Sequence, residues 1–207
     1  MPSPTRPLVL RGGRVVTMDA ERRILDADVR IEDGRITQVL EKGKGGRGRG
    51  TAKTATVLDC RGLVVLPGLI QAHVHLCQTL FRGLADDLPL EDWLAKRIWP
   101  LEAAHTEESV HWSAMLGGAE LLLGGTTAIL DMETVRHTGA AFEALETLGL
   151  RATAGKCLMD SPAAPEALRE PTDRALREAS DLCGRWHGQA GGRLRWCYAP
   201  RFAPSCT

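Results

Sequence analysis

Residues 66–75 read Leu-Pro-Gly-Leu-Ile-Gln-Ala-His-Val-His, an apolar run that ends in two histidines, His73 and His75. If this run is a β-strand, residues i and i+2 project to the same side, so the two imidazoles lie together and Val74 points into the packing behind them. Because both faces of the run are apolar, we predict a buried parallel strand. In an α/β barrel the active site lies at the carboxyl ends of such strands. Two neutral imidazoles on one face supply half of a metal site, although two polar residues that merely close a strand would show the same spacing.

Length and composition exclude several classes of protein. The 207 residues suffice for one large domain or two small ones, and 26 basic residues balance 26 acidic ones, which gives no reason to expect nucleic acid or a membrane surface as a partner. No apolar run approaches the ~20 residues of a membrane span, and the N-terminus lacks the apolar core of a signal peptide. The six cysteines include no Cys-x-x-Cys pair, as is typical of reduced thiols. We therefore expect a cytoplasmic protein.

Residues 1–65 are predicted to form a small antiparallel β domain. Short apolar or alternating runs predict strands at 8–10, 15–18, 28–32 and 35–40. Asp33-Gly34 is a dipeptide favoured in a tight hairpin turn between the last two of them. The glycine-rich and basic segment 41–53 is expected to be a surface loop.

From residue 66 to residue 207, strand-like runs alternate with helical segments. Further strands are predicted at 127–132, 151–159 and 194–199, and helices at 90–99, 107–123, 139–148 and 171–186. Thr106 is the predicted N-cap of the second helix, and one side of that helix is lined by Val110, Ala114, Leu121 and Leu122. This alternation implies right-handed βαβ crossovers and a parallel sheet. Four such strands are half of an eight-stranded TIM barrel, which needs ~250 residues. We therefore expect residues 66–207 to be the first four βα units of an incomplete barrel.

The sequence resembles the amidohydrolase superfamily, in which the histidine run would be the metal-binding strand. It is similar to the aminohydrolases that deaminate purines and triazines, and above all to guanine deaminases. The motifs that carry the likeness are Gln78, Leu88-Pro89-Leu90 before Trp93-Leu94, Pro100 with Glu102, Gly125-Thr126-Thr127, Gly155-Lys156 and Pro200-Arg201-Phe202. The resemblance implies a metal-dependent (β/α)8 barrel preceded by a small β-sandwich domain, of which residues 1–65 would form an incomplete part.

The resemblance also implies a catalytic metal. His73 and His75 would be two ligands of a zinc ion, with iron as a possible replacement. Zinc lowers the pKa of a bound water to ~7 and so makes hydroxide available for attack on an aromatic carbon. In the family the other ligands and the proton-transfer residues follow the fifth, sixth and eighth strands, beyond Thr207, so the catalytic acid and base are expected outside this sequence. The unrelated deaminase design combines His-x-Glu with Pro-Cys-x-x-Cys, and the sequence contains no Pro-Cys-x-x-Cys.

Four further residues would bind the substrate by the same resemblance. Gln78 and Arg201 would hydrogen-bond the edge of a purine, Phe202 would lie beside them, and Trp93 would help to close the pocket. Each has a purely structural alternative: Gln78 could cap a loop, Arg201 could pair with a carboxylate, and Trp93 could be a core residue.

The expected function is zinc-dependent deamination of an aminopurine with release of ammonia. Guanine is the favoured substrate. The alternatives are 5′-deoxyadenosine, methylthioadenosine and adenosylhomocysteine, and Arg82-Gly83 also resembles the deaminases of the last two. A triazine hydrolase is a third alternative. From another class, the chain could be a truncated, non-catalytic fragment that needs a partner chain. The complete protein is expected to be a homodimer, and the 207 residues alone are expected to be inactive.

Overall fold

The computed structural model describes residues 6–43 and 55–207, and the chain divides into two compact units, Met1–Pro67 and Gly68–Thr207. Most of the surface loop predicted at 41–53 lies outside the described residues. No helix within the described ranges is long and apolar enough to cross a membrane.

The first unit contains a five-stranded sheet. Its strands are β1 (Leu8–Val16), β2 (Ile24–Glu32), β3 (Arg35–Glu41), β4 (Thr56–Asp59) and β5 (Val64–Val65). The order is β3-β2-β1-β4, with β5 also paired to β1. The first three strands are antiparallel neighbours, whereas β4 and β5 run parallel to β1. The antiparallel pairing expected for the strands up to residue 40 is confirmed, and β4 and β5 add parallel pairs with successive parts of β1.

Two local signals in this unit had different outcomes. The strands predicted at 8–10 and 15–18 are one strand, because a register shift between Leu10 and Gly13 absorbs the glycines without ending the pairing. Gly12 has a φ of 73° and donates its N–H to Asp28 Oδ1 at 2.8 Å. The hairpin at Asp33-Gly34 is confirmed, since both residues have the positive φ that a type I′ turn requires.

The second unit contains the predicted parallel sheet. Its strands are β6 (Leu69–Val74), β7 (Thr126–Met132), β8 (Arg151–Gly155), a short β9 (Cys157–Leu158), β10 (Leu194–Trp196) and a short β11 (Ala199–Pro200). The order is β10-β8-β7-β6, every pairing is parallel, and β11 pairs with β9. The third and fourth predicted strands are each split in two. At the split a Cβ on Gly155 would lie 2.0 Å from the Cys197 carbonyl oxygen, so the two backbones approach too closely for a regular ladder.

The three long helices of this unit pack against the sheet, and the two short helices before them pack against neighbouring helical turns. The helices are α1 (Leu90–Trp93), α2 (Trp99–Ala103), α3 (Glu107–Leu123), α4 (Thr138–Leu148), α5 (Thr172–Trp186) and a short turn α6 (Gln189–Gly192), with 3-10 turns at Leu76–Phe81 and Ala203–Ser205. The predicted N-cap of α3 is confirmed: Thr106 accepts from the Ser109 N–H in a capping box. In the core the Phe142 ring stacks between Trp186 and Trp196, at 5.4 and 5.6 Å between centroids. Leu122, predicted on the buried side of α3, is exposed, and small residues of that helix make the close contacts instead.

The helix predicted at 90–99 is continuous in space but irregular. Between α1 and α2 the residues Leu94–Ile98 form a π-helical turn. Pro100 lies two residues after this turn. It has no N–H to donate, and its ring would clash with the carbonyl four residues earlier in a regular α-helix, so a wider turn relieves the conflict. The helix then continues far enough to bury Glu102.

The histidine strand is exposed rather than buried. In the described part of the chain β6 is an edge strand that pairs only with β7, and Ile70 is 75% exposed. Its register with β7 also shifts between Leu69 and Ile70 and again between Gln71 and Val74. The prediction of a buried strand was wrong for these residues, because it assumed a paired neighbour on each side.

Candidate metal and substrate site

The two histidines lie together at the carboxyl end of the parallel sheet, as their spacing predicts. His73 is in β6 and His75 follows its last residue, and their ring centroids are 5.0 Å apart in an edge-to-face arrangement. They line a cavity of about 400 Å³ together with Asp131 and Met132 of β7 and with residues 197–200. The cavity is therefore built from strand ends and the turns that follow them, the usual place for chemistry in an α/β barrel.

His75 is oriented by the neighbouring strand. Its Nδ1 lies 2.8 Å from the Met132 carbonyl oxygen, which can only accept, so Nδ1 carries the proton and Nε2 keeps its lone pair. Burial lowers the pKa of His75 and this hydrogen bond raises it by less, so the environment favours the neutral ring. A neutral imidazole whose other nitrogen donates to a carbonyl is the usual state of a metal-binding histidine.

The donor set fits part of a zinc site. Imidazole nitrogens are common zinc ligands, and a catalytic zinc takes three protein ligands besides its water. Within residues 6–43 and 55–207, no group of three or more histidine, cysteine, aspartate or glutamate side chains is placed to hold a metal ion. His73 and His75 would therefore contribute two of the ligands.

We expect the polypeptide of residues 1–207, expressed alone, not to retain zinc through dialysis. Two ligands are too few for tight binding, and the exposed apolar residues Leu69, Ile70 and Leu130 should make it associate. Metal analysis and sizing chromatography of the purified segment test this. A soluble monomer that keeps one zinc ion per chain and releases ammonia from guanine would contradict it.

Two acidic residues beside the histidines were missed by the sequence analysis. Asp131 and Glu133 are fully buried at the end of β7, and Asp131 Oδ1 accepts from the Leu76 N–H at 3.1 Å. Burial raises the pKa of Asp131 to about 6, although the hydrogen bonds with Glu133 and Leu76 lower it. Burial and the nearby Asp131 charge raise the pKa of Glu133 well above its ordinary value. The available signal was their position at the carboxyl end of a parallel strand.

Glu102 joins the two predicted substrate-binding residues into one network. Arg201 Nη1 donates to Glu102 Oε2 at 2.5 Å and Nη2 to Oε1 at 3.1 Å, which makes a bidentate ion pair. Gln78 Nε2 donates to the same Oε1 at 2.8 Å. The sequence analysis noted Glu102 only as part of a motif, because nothing local shows that residues 99 positions apart meet.

This network is linked to the histidines. The Gln78 N–H donates to the His75 carbonyl oxygen at 2.9 Å, so one 3-10 turn separates the two side chains. The charges of Arg201 and Glu102 both act on the pKa of His75, in opposite directions. The structure thus brings Gln78 and Arg201 into the neighbourhood of the predicted metal ligands.

The other two predicted substrate residues lie elsewhere. Trp93 packs against the cluster of Phe81, Leu94 and Ile98. Phe202 lines a separate cleft with Trp99. None of the four predicted substrate residues lines the cavity of the histidines, although Pro200, the neighbour of Arg201 in sequence, does. For Trp93 this arrangement matches the core alternative.

Comparison with known proteins identifies the family. The model of the amidohydrolase family matches residues 64–207. A 5-methylthioadenosine/S-adenosylhomocysteine deaminase of Desulforamulus reducens is 38% identical over 200 residues, which cover 96% of this chain and 43% of that protein. The chain thus spans less than half the length of this relative.

Two solved structures extend the comparison. Escherichia coli guanine deaminase superposes with a TM-score of 0.84 at 28% identity, over 98% of this chain and 48% of that one. An adenosine deaminase from Xanthomonas campestris with bound zinc has a TM-score of 0.73 at 29% identity, over 93% and 42% of the two chains. The chain thus covers slightly less than half of each solved structure, as expected if its four parallel strands are the first half of a barrel. The chain belongs to the amidohydrolase family.

Proposed function

We propose that this chain supplies metal ligands and substrate contacts to a zinc-dependent hydrolytic deaminase of an aminopurine. The observation that carries the proposal is the connection from His73 and His75 through the turn of Gln78 to the pair of Arg201 with Glu102. A cytoplasmic homodimer remains our expectation for the complete protein.

Different residues of this chain would bind the metal and the substrate. His73 and His75 would hold a zinc ion, with Nε2 of His75 as its donor atom because Nδ1 is committed to Met132. Bound zinc supplies a hydroxide at neutral pH. Arg201 would hold the purine by its outer edge and Gln78 would fix its rotation. Because Arg201 and Glu102 are nearly buried, these contacts would exclude water from that edge.

Guanine is the substrate that the site supports best. The pair with Glu102 uses one donor on each terminal nitrogen of Arg201 and leaves other guanidinium donors for a ligand. Arginine matches the adjacent O6 and N7 acceptors of guanine, an arrangement known from DNA recognition. Deamination at the opposite side of the ring would leave these acceptors unchanged.

A 5′-substituted adenosine is the second candidate. The observation that favours it is the 38% identity, over nearly the whole chain, to a protein named as a methylthioadenosine and adenosylhomocysteine deaminase. Differences of a few pocket hydrogen bonds separate such substrates. An ammonia-release screen of the full-length protein with guanine, 5′-deoxyadenosine and methylthioadenosine would decide between the two.

In the full-length protein we expect Gln78→Ala and Arg201→Ala to reduce kcat/KM for the preferred purine without loss of zinc. Loss of one hydrogen bond to a buried substrate edge costs about 1–3 kcal/mol, and neither residue is a metal ligand in the proposed site. Steady-state kinetics and metal analysis on the same samples test both points. Arg82→Ala is the matched control, since Arg82 forms an exposed pair with Glu120 away from the cavity. Loss of stoichiometric zinc in the Gln78 or Arg201 variant would contradict the assignment.

A further inference from the structure

We propose that Glu102 is a positioning residue that makes the substrate pocket select neutral heterocycles and reject anionic ones. This inference rests on the proposed function in one respect only, the location of the pocket beside Gln78 and Arg201. It assigns to Glu102 a role that acts through its two partners rather than by contact with the substrate.

The carboxylate oxygens of Glu102 accept hydrogen bonds from side chains of the protein itself. Both oxygens receive a hydrogen bond from Arg201, and Oε1 receives a second one from Gln78. The side chain is 2% exposed and that of Arg201 is 9% exposed. Bidentate, charge-assisted pairs of this kind are strong and geometrically specific. The carboxylate therefore fixes the plane of the guanidinium and the direction of the Gln78 amide.

The pair also sets the charge that a ligand meets. A lone buried guanidinium would attract phosphate or carboxylate, for which arginine is well shaped. Here the negative charge of Glu102 lies in contact with that guanidinium and would repel a second anion. A neutral heterocycle is not repelled and can accept from the remaining guanidinium donors.

The surroundings of Arg201 strengthen this selection. The sulfur atoms of Cys157 and Met159 lie 4.0 and 3.9 Å from Nη1, and both residues are fully buried. Such weakly polar neighbours screen charge poorly, so the Arg201–Glu102 pair would dominate the local field. With both members present the pocket wall carries no net charge from this pair.

A purely structural role would leave ligand charge preference unchanged, so binding of two probes can separate the alternatives. Hypoxanthine serves as the neutral probe and inorganic phosphate as the anionic one, each titrated by calorimetry into the full-length protein. For Glu102→Gln we expect hypoxanthine affinity to fall about tenfold or more, from loss of the charge-assisted contacts that orient Arg201. We expect phosphate affinity to rise by a similar factor, because Arg201 loses its anion.

Two further variants complete the design. Glu102→Gln combined with Arg201→Met removes both charges, so it should bind neither probe well and should fold even if the single variant does not. Glu120→Gln, which breaks the exposed pair with Arg82, should match the wild type. Unchanged phosphate affinity in a folded Glu102→Gln protein would overturn the inference. Wild-type hypoxanthine affinity in the double variant would overturn it too.

Ammonia release is measured separately on the wild-type protein. If no purine is deaminated while phosphate binding still increases in Glu102→Gln, the proposed function fails and the role of Glu102 stands. If guanine is deaminated and phosphate binding does not change, the role of Glu102 fails and the function stands.

Discussion

In the full-length protein, His75→Ala should lower zinc affinity by more than about a hundredfold and reduce ammonia release to background. Loss of a residue that only supports a metal ligand costs about 10–100-fold in metal affinity or activity, and loss of the ligand itself should cost more. Among the described residues that line the cavity His73 is the one other histidine, so no spare imidazole is placed to substitute for His75. Zinc titration against a competing chelator measures the affinity.

His137→Asn is the matched control for this substitution. His137 is exposed and has a φ of 63°, a conformation that asparagine tolerates, and it does not line the cavity of His73 and His75. We expect zinc content and turnover of this variant to equal those of the wild type. Full zinc occupancy in His75→Ala would remove His75 from the metal site.

Lys156→Met should destabilise the protein by about 3–5 kcal/mol, because it leaves a buried carboxylate without its main counter-charge. Lys156 is fully buried after β8. Its Nζ lies 2.8 Å from Glu170 Oε2 and 3.2 Å from Glu178 Oε2, and it also donates to the Val135 carbonyl oxygen. Glu170 is itself buried and would keep only the largely exposed Arg174 as a partner. Thermal unfolding together with hydrogen exchange of α5, which carries Glu178, measures the loss.

Two further variants test whether the loss of the Lys156 charge causes the destabilisation. Lys96→Met removes an exposed lysine that pairs with Asp92, and its effect should stay within about 1 kcal/mol. Glu170→Gln added to Lys156→Met removes the stranded charge, so the double variant should be more stable than Lys156→Met alone. A Lys156→Met protein as stable as Lys96→Met would show that the buried pair contributes little.

Local patterns predicted those parts of the fold that depend on neighbours in sequence. The hairpin at Asp33-Gly34, the cap at Thr106 and the alternation of strands with helices were all correct, because each is decided within a few residues. The same holds for the shared side of His73 and His75. By contrast, the split at Gly155 comes from a close approach of Cys197, and no local pattern shows a distant backbone.

The members of the candidate site could be predicted only in part, and the contacts between them could not be predicted. The family resemblance selected Gln78 and Arg201, yet it did not show that Glu102 holds both, since that contact depends on the folded sheet. Trp93 was selected by the same resemblance and lies in a packing cluster. Asp131 and Glu133 belong to no sequence motif. Their burial depends on the position of β7 between β6 and β8, which the local sequence does not show.

The π-helical turn at Leu94–Ile98 bears on how this part of the protein could evolve. Each residue of a helix turns the chain by about 100°, so deleting one residue from the turn would rotate Glu102 by that angle around the helix axis. The carboxylate would then leave Arg201 and Gln78 although every side chain of the network was retained. A homologue with a shorter turn would need another acidic residue to pair with Arg201. A homologue that keeps the turn also keeps Glu102 on the side of the helix that faces Arg201 and Gln78.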